Sequence, residues 1–226
     1  MKEHISNQTE WAEASKELEQ ESIKLASYDK KLLEILEDIS GKSILDFGCG
    51  PGILASALKE KNANIKTFDI SKEMRDLCVE KIGKENVFSK LEEVPVGEFD
   101  NIICNLVLCI VRDNEVKDIL KNLKCMIKPD GRILIGFCNP KIFNVSESQL
   151  DLRPIPLYNY NENHRYLKTK KEGGYQIVEE HRPIEWYRKT FKECGLEIIK
   201  EHFTSKYSIK DREIQDFIIF EIKKER

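Results

Sequence analysis

Long apolar runs are missing from this chain of 226 residues. Spanning a bilayer takes about 20 consecutive apolar residues, and no stretch here is that long. The opening residues, Met1 to His4, do not begin as a secretory signal peptide does. Internal repeats and low-complexity tracts are absent as well. These absences predict a cytoplasmic protein that does not associate with membranes.

The sequence also lacks the closely spaced cysteine pairs that are typical of a zinc site. The chain has seven cysteines, an odd number, and no C-x-x-C pair of the kind that holds zinc. Four of them lie within apolar runs, where reduced and mostly buried thiols are expected; they are Cys104, Cys109, Cys125 and Cys138. The prediction is a set of reduced thiols without a metal site.

The chain has no large excess of one charge, since its formal net charge is −3. A chain this close to neutral, with no basic stripe, does not favour nucleic acid as a partner. Its length suits one domain with a good core and an insertion. We therefore predict a single domain over residues 1–226, present as a monomer or a homodimer.

Glycine, by contrast, is concentrated in the stretch from Ser43 to Gly52. The apolar residues Ile44, Leu45 and Phe47 predict a strand that is covered on both faces. The glycines that follow allow a ligand to lie against bare backbone at the carboxyl end of that strand; they are Gly48, Gly50 and Gly52. Asp46 places a carboxylate at the same end.

Two ligand classes bind turns of this kind. A dinucleotide site spaces its glycines G-x-G-x-x-G and rests a pyrophosphate on a helix N-terminus. Here the spacing is G-x-G-x-G, and a carboxylate at Asp46 repels a pyrophosphate but suits an ammonium group. A nicotinamide-dependent oxidoreductase is therefore the weaker alternative, and a tight turn that binds nothing is another.

The nine residues from Ile44 to Gly52 resemble motif I of the class I S-adenosylmethionine-dependent methyltransferases. The resemblance implies an α/β, Rossmann-like fold with a seven-stranded, mostly parallel sheet whose last strand is antiparallel. It also implies S-adenosylmethionine as cofactor. The motif residues that it assigns to the cofactor site are Asp46, Phe47, Gly48, Cys49, Gly50 and Gly52.

A second acidic position supports the same site. The run from Asn64 to Phe68 predicts a strand, and Asp69 follows it, 17 residues past Gly52. At that spacing a carboxylate meets a ribose in βαβ nucleotide sites, although a capping or surface acid would also suit the position. The resemblance assigns the ribose to Asp69 and an apolar clamp on the purine to Ile70 and Met74.

Two later positions are assigned by the resemblance, and one departs from it. Lys90 stands where the family usually has an Asp that bonds the adenine, so the backbone of Leu91 is the expected contact instead. Asn105, at the end of a predicted fourth strand, is expected near the methionine portion and the methyl group. Many relatives have a His where this chain has Cys109, which predicts either a substrate-facing thiol or a buried structural one.

Two segments are expected to cover the site. Residues 1–40 are predicted to form a helical cover, and Trp11, Tyr28 and Asp29 loosely fit the family's pattern for it; a simple packing helix is the alternative. Residues 139–182 lack helical periodicity and are too long for an ordinary connection. They predict a substrate lid after the fifth strand that contains a hairpin, or else a dimer contact.

The lid contributes the candidate substrate residues Tyr158, Tyr160 and His164, whereas His181 is interpreted as structural. Residues 151–192 hold nine Lys and Arg against six acids, which favours a solvated face or an anionic substrate. No residue pair identifies a catalytic base. The predicted function is methyl transfer to a small molecule by in-line displacement; the alternatives are a methyltransferase acting on RNA or protein and the oxidoreductase.

Overall fold

The computed structural model describes residues 24–142, 145, 159–169, 176–209 and 211–225. A turn of π-helix, Lys24–Asp29, leads into α1 (Lys30–Leu36). The strands and helices of the first half then alternate as β1 (Ser43–Phe47), α2 (Ile53–Glu60), β2 (Asn64–Phe68), α3 (Lys72–Ile82), β3 (Val87–Phe88) and β4 (Phe99–Asn105). This βαβ rhythm predicts a parallel sheet covered by helices.

The second half keeps that rhythm at first and then adds hairpins. It contains α4 (Asp113–Met126), β5 (Ile127–Cys138), β6 (His164–Thr169), β7 (Gln176–His181), α5 (Ile184–Glu193), β8 (Leu196–Phe203), β9 (Tyr207–Ile209), β10 (Arg212–Ile214) and β11 (Phe217–Lys224). Strands β6 and β7 form a separate antiparallel hairpin, and β9 and β10 form another. The β6–β7 hairpin was predicted, whereas the β9–β10 hairpin was not.

The central sheet has seven strands in the order β3-β2-β1-β4-β5-β11-β8. The first five pair in parallel, and β11 is antiparallel to both of its neighbours. The predicted α/β, Rossmann-like architecture with an antiparallel last strand is therefore confirmed. The carboxyl ends of β1, β2 and β4 lie at one edge, which is where sheets of this type bind ligands.

Apolar side chains cover both faces of this sheet. Leu54 and Leu58 of α2 pack on one face, and Leu120 of α4 and Phe191 of α5 pack on the other. None of the helices in the described ranges has the length and apolar composition required to cross a membrane.

Strand β5 is longer than the sequence predicts. The residues Lys-Pro-Asp-Gly at positions 128–131 are typical of a turn, which predicts a strand only from Arg132 to Phe137. In the structure Ile127 already pairs with Phe99, and after a register shift Arg132 pairs with Asn101. The residues from Lys128 to Gly131 form a bulge at this register shift, and β5 continues on both sides of the bulge.

The cysteine prediction is partly wrong. Cys104 and Cys109 are buried, but Cys138 is half-buried and Cys125 is exposed. In α4 the inward face is formed by Val116, Leu120 and Leu123, and at 3.6 residues per turn Cys125 falls on the outer face.

Candidate active site

The glycine turn after β1 is fixed by the end of the neighbouring strand. The backbone N–H groups of Gly48 and Cys49 donate to the carbonyl of Phe68 at 2.7 and 3.2 Å. A Cβ atom at Gly52 would lie 2.7 Å from Sγ of Cys78, so this turn packs directly on α3. At Gly50, by contrast, no atom of the described residues would lie within 4 Å of such a Cβ. Bare backbone therefore faces open space at Gly50.

Asp69 joins this turn to the start of α3. Its Oδ2 accepts the N–H of Gly50 and its Oδ1 accepts the N–H of Ser71, both at 2.9 Å. Burial raises the pKa of the Asp69 carboxyl above its ordinary value of 3.8, and the two N–H donors partly offset that rise. Each carboxylate oxygen can accept a second hydrogen bond, so the carboxylate can also receive a pair of hydroxyl groups.

The residues around Asp69 hold it in place. Ser71 begins α3 as its N-cap, with its Oγ accepting from the N–H of Met74 at 3.3 Å. Arg75, which the sequence did not single out, donates through Nη1 to the carbonyls of Asp69 and Ile70 at 2.8 Å. Ile70 is 63 % exposed, whereas Met74 is buried. Ile70 is therefore the member of the predicted clamp that faces outward.

Other predicted cofactor residues lie at the same edge of the sheet or beside it. Asp46 is buried in β1 directly before the glycine turn. Its charge is the second cause, after burial, of the raised pKa of the Cys104 thiol. Leu91 begins a 3₁₀ turn, Leu91–Glu93, and is half-buried. Lys90, the departure from the family pattern, is exposed.

Tyr28 connects the N-terminal segment to the end of β4. Its side chain is fully buried, and its hydroxyl donates to Oδ1 of Asn105 at 2.6 Å. The same ring lies against Gly136 of β5, where a Cβ would come within 1.6 Å of the hydroxyl oxygen. Burial raises the pKa of Tyr28 well above its ordinary value, so the phenol stays protonated as the donor. Trp11 lies outside the described residues.

The loop from Leu106 to Val111 follows Asn105 and is held by the end of β7. Arg182 is 1 % exposed and donates through Nη1 to the carbonyl of Leu108 at 2.7 Å and through Nη2 to that of Val111. The N–H of Glu180 donates to the carbonyl of Cys109 at 2.7 Å. The β6–β7 hairpin is therefore attached to the loop beside Asn105.

A small cavity lies between this hairpin and the end of β5. Its lining includes Cys109, Cys138, Tyr166, Glu179 and Arg182. The hydroxyl of Tyr166 donates to the buried carboxylate of Glu179 at 2.7 Å. Sequence reasoning did not select this pair, which is joined by cross-strand pairing rather than by a motif.

The predicted substrate residues Tyr160 and His164 come together elsewhere on the hairpin. The hydroxyl of Tyr160 accepts from the N–H of Ile184 at the start of α5. The backbone carbonyl of Tyr160 contacts His181 Nε2 at 3.0 Å. The imidazole of His164 stacks on that of His181. Neither residue is among those that line the cavity, so their contact with an acceptor stays a prediction. Tyr158 lies outside the described residues.

Comparison with known proteins decides the family. Residues 19–200 match the model of a family described as "Methyltransferase domain". The chain belongs to this family. The enzyme class that the sequence predicted is thereby confirmed at the level of the family, and S-adenosylmethionine is supported as its cofactor. Across the described residues, no group of three or more His, Cys, Asp or Glu is placed to hold a metal ion.

Individual relatives of this methyltransferase domain are distant. A ribosomal protein L11 methyltransferase from Vibrio cholerae is 26 % identical over 124 residues, which cover 52 % of this chain and 42 % of that protein. The chain spans about two fifths of the length of the first curated relatives that it matches.

Solved structures agree on the fold. An S-adenosylmethionine-dependent methyltransferase from Mesorhizobium loti superimposes with a TM-score of 0.64 and 18 % identity, covering 85 % of this chain and 95 % of that one. The 1,6-didemethyltoxoflavin-N1-methyltransferase of Burkholderia thailandensis, with bound 1,6-didemethyltoxoflavin and S-adenosylhomocysteine, gives 0.61 and 12 %, covering 97 % and 87 %. At these identities the likeness shows the fold.

Proposed function

We propose that this protein transfers a methyl group from S-adenosylmethionine to a small-molecule acceptor by in-line displacement. The observation that carries the proposal is the carboxylate of Asp69, fixed by the N–H groups of Gly50 and Ser71 beside open backbone. A ribose presents two neighbouring hydroxyls that such a carboxylate can receive. Family membership and the S-adenosylhomocysteine bound to the Burkholderia thailandensis relative support the same cofactor.

The described residues fit this cofactor. Asp69 and the Gly50 backbone would hold the ribose, and exposed Ile70 offers an apolar surface for the adenine, with the Leu91 backbone as a further contact. Asp46 would attract the ammonium group, and Asn105 would lie toward the methyl group. Bound S-adenosylmethionine supplies a methyl group activated by its sulfonium, and the rest of the cofactor leaves as a neutral thioether. The chain's own contribution is therefore proximity and orientation.

The acceptor is proposed to bind beneath the β6–β7 hairpin. Arg182 and Glu180 attach that hairpin to the loop after Asn105, which supports a lid over the methyl group. The cavity there offers a polar pair, Tyr166 and Glu179. A binding position beneath a hairpin suits a small molecule better than a segment of a macromolecule.

The cofactor is tested by calorimetry on the purified protein. We expect S-adenosylhomocysteine to bind with micromolar affinity, about −8 kcal/mol. NAD should not compete with it, because the carboxylate of Asp46 disfavours a pyrophosphate. A folded protein that binds neither S-adenosylmethionine nor S-adenosylhomocysteine would overturn the proposed function.

The acceptor class is tested with methyl-labelled S-adenosylmethionine and cell extract separated into small-molecule, RNA and protein fractions. We expect label in the small-molecule fraction. Label in the protein fraction would instead favour a protein acceptor, which is the class named for the ribosomal protein L11 methyltransferase of Vibrio cholerae. Label in the RNA fraction would contradict both assignments.

A further inference from the structure

Two thiols meet behind the glycine turn, and the proposed methyl transfer needs neither sulfur. Cys49 lies in the turn and Cys78 lies on α3, 29 residues later. Their Sγ atoms are 3.7 Å apart, with Cys49 donating to Cys78. Cys49 is 8 % exposed and Cys78 is fully buried. The two sulfurs are therefore in direct contact, and Cys49 is the member of the pair that lies nearer the surface.

We propose that Cys49 and Cys78 form a reversible disulfide that lowers the affinity of the protein for its cofactor. A disulfide has an S–S bond of about 2.05 Å, so the sulfurs have to approach each other by more than about 1.5 Å. The turn and the helix that carry them already touch at Gly52. The disulfide itself does not depend on the proposed function, whereas its effect on the cofactor does.

The hydrogen bond between the thiols gives them different roles. Donation from Cys49 is the largest cause that lowers the pKa of Cys78, and the Thr67 hydroxyl, at 3.6 Å, acts in the same direction against burial. The same hydrogen bond is the largest cause that raises the pKa of Cys49. Because the thiolate is the reactive form of cysteine, Cys78 is the sulfur that reacts with an oxidant first, and Cys49 is its resolving partner.

The reaction balances with a hydroperoxide as oxidant. Cys78 Sγ, as the more acidic thiol, attacks the hydroperoxide and takes one oxygen to become a sulfenic acid, and the hydroperoxide leaves as an alcohol, or as water from hydrogen peroxide. Cys49 Sγ then attacks Cys78 Sγ, the S–S bond forms, and the sulfenic oxygen leaves as water with the proton of Cys49. Two thiols are oxidised by two electrons in total, and an added dithiol reverses the change by exchange.

The disulfide acts on the cofactor site through its two sides. Gly50 follows Cys49 directly, and its N–H holds Asp69 at 2.9 Å. Ser71, at the start of the helix that carries Cys78, holds the other oxygen of Asp69. Drawing the turn toward the helix changes the spacing of both donors, so the carboxylate no longer presents the same geometry to a ribose.

The first experiment maps the disulfide. The reduced protein is treated with hydrogen peroxide, its remaining thiols are alkylated after unfolding, and its peptides are analysed by mass spectrometry. We expect a linked pair of peptides that contain Cys49 and Cys78, lost after dithiothreitol. Cys49 and Cys78 recovered as separately alkylated thiols, while exposed Cys125 is oxidised, would overturn the proposal.

The second experiment measures S-adenosylhomocysteine affinity by calorimetry before and after peroxide. We expect affinity to fall at least tenfold and to return with dithiothreitol. Cys78→Ser should remove this sensitivity relative to its own untreated form, whereas Cys125→Ser, at an exposed thiol, should keep it. A mapped disulfide with unchanged affinity would overturn the switch. Failure of the reduced protein to bind contradicts the proposed function instead, and the peptide map still decides the thiol pair.

Discussion

The hydroxyl of Tyr28 donates a 2.6 Å hydrogen bond to Oδ1 of Asn105, which lies 77 residues later at the end of β4. The ring that carries this hydroxyl is buried between Gly136 and Phe217, with the two aromatic centroids 5.0 Å apart. The N-terminal segment therefore packs on the sheet and also reaches the strand end where the methyl group is proposed to lie. The packing role of this segment is therefore observed at Tyr28, whereas a cover over the cofactor stays a prediction.

This contact requires glycine at position 136. In Gly136→Ala the new Cβ would overlap the hydroxyl and the ring of Tyr28, so we expect a loss of about 1–3 kcal/mol of unfolding free energy in urea. In a Tyr28→Leu background, where the phenol is gone, the same substitution should cost much less. Equal costs in the two backgrounds would mean that Tyr28 does not set this requirement.

Asp69 is expected to dominate cofactor affinity. In Asp69→Asn one amide nitrogen must face a backbone N–H, either that of Gly50 or that of Ser71, and the charge-assisted hydrogen bonds are lost. Affinity for S-adenosylhomocysteine should fall by about 2 kcal/mol, and similarly in Asp69→Ala. Asp76→Asn is the matched control, since its exposed carboxylate contacts Lys72 on the same helix. Unchanged affinity in the Asp69 variants would remove this residue from the site.

Cofactor affinity should also depend on pH through Asp69. Ribose hydroxyls donate to the ionised carboxylate, so protonation weakens binding. Because burial raises the pKa of Asp69 above 3.8, affinity should begin to fall at a higher pH than an ordinary aspartate would cause. The unliganded fold responds oppositely: this raised pKa contributes stability below 3.8, which is lost as pH rises through the folded value. Calorimetry across a pH series should show a flatter profile for Asp69→Ala.

Local pattern was sufficient for elements that depend on their own residues. Strand β2 begins and ends where the sequence predicts, from Asn64 to Phe68, and β4 ends at Asn105 as predicted. The glycine turn follows from three glycines and one acid. The contacts that fix the proposed site join residues far apart in the chain, such as Tyr28 with Gly136 and Arg182 with Leu108. A periodicity shows which face of an element is buried but not which partner covers it, so these pairs required the structure.

Arg182, which lies between β7 and α5, is expected to be more costly to remove than the cations on those two elements. Its buried guanidinium serves the carbonyls of Leu108 and Val111 and, through Nε, the carboxylate of Asp113 at 2.7 Å. Arg182→Ala should therefore lower the urea unfolding free energy by about 3 kcal/mol or more. Arg188→Ala is the control: its half-exposed ion pair with Glu201 should be worth less than about 1 kcal/mol. Similar losses in both variants would contradict this role.

The last prediction separates acceptor binding from cofactor binding at the β6–β7 hairpin. Tyr166 and Glu179 line the cavity, and their hydrogen bond is buried. Tyr166→Phe and Glu179→Gln change polar groups with little change in volume, so each should lower turnover at least tenfold while leaving S-adenosylhomocysteine affinity nearly intact. Tyr160→Ala and His164→Ala should also lower turnover if the lid acts as predicted.

The competing hypothesis is that the hairpin is a contact between two copies of the chain, since a short exposed pair of strands also suits an interface. Leu167, on β6, is 49 % exposed, so Leu167→Lys should disrupt such a contact without entering the cavity. Sedimentation and turnover measured for Leu167→Lys and for Tyr166→Phe distinguish the dimer contact from the lid. If the hairpin binds the acceptor, we expect the sedimenting mass of both variants to equal that of the unsubstituted protein, and only Tyr166→Phe to lose turnover. The lid hypothesis is wrong if Leu167→Lys turns a dimer into a monomer and Tyr166→Phe methylates at full rate. In that case the polar pair in the cavity contributes nothing to the reaction, and the hairpin serves as the contact between two copies.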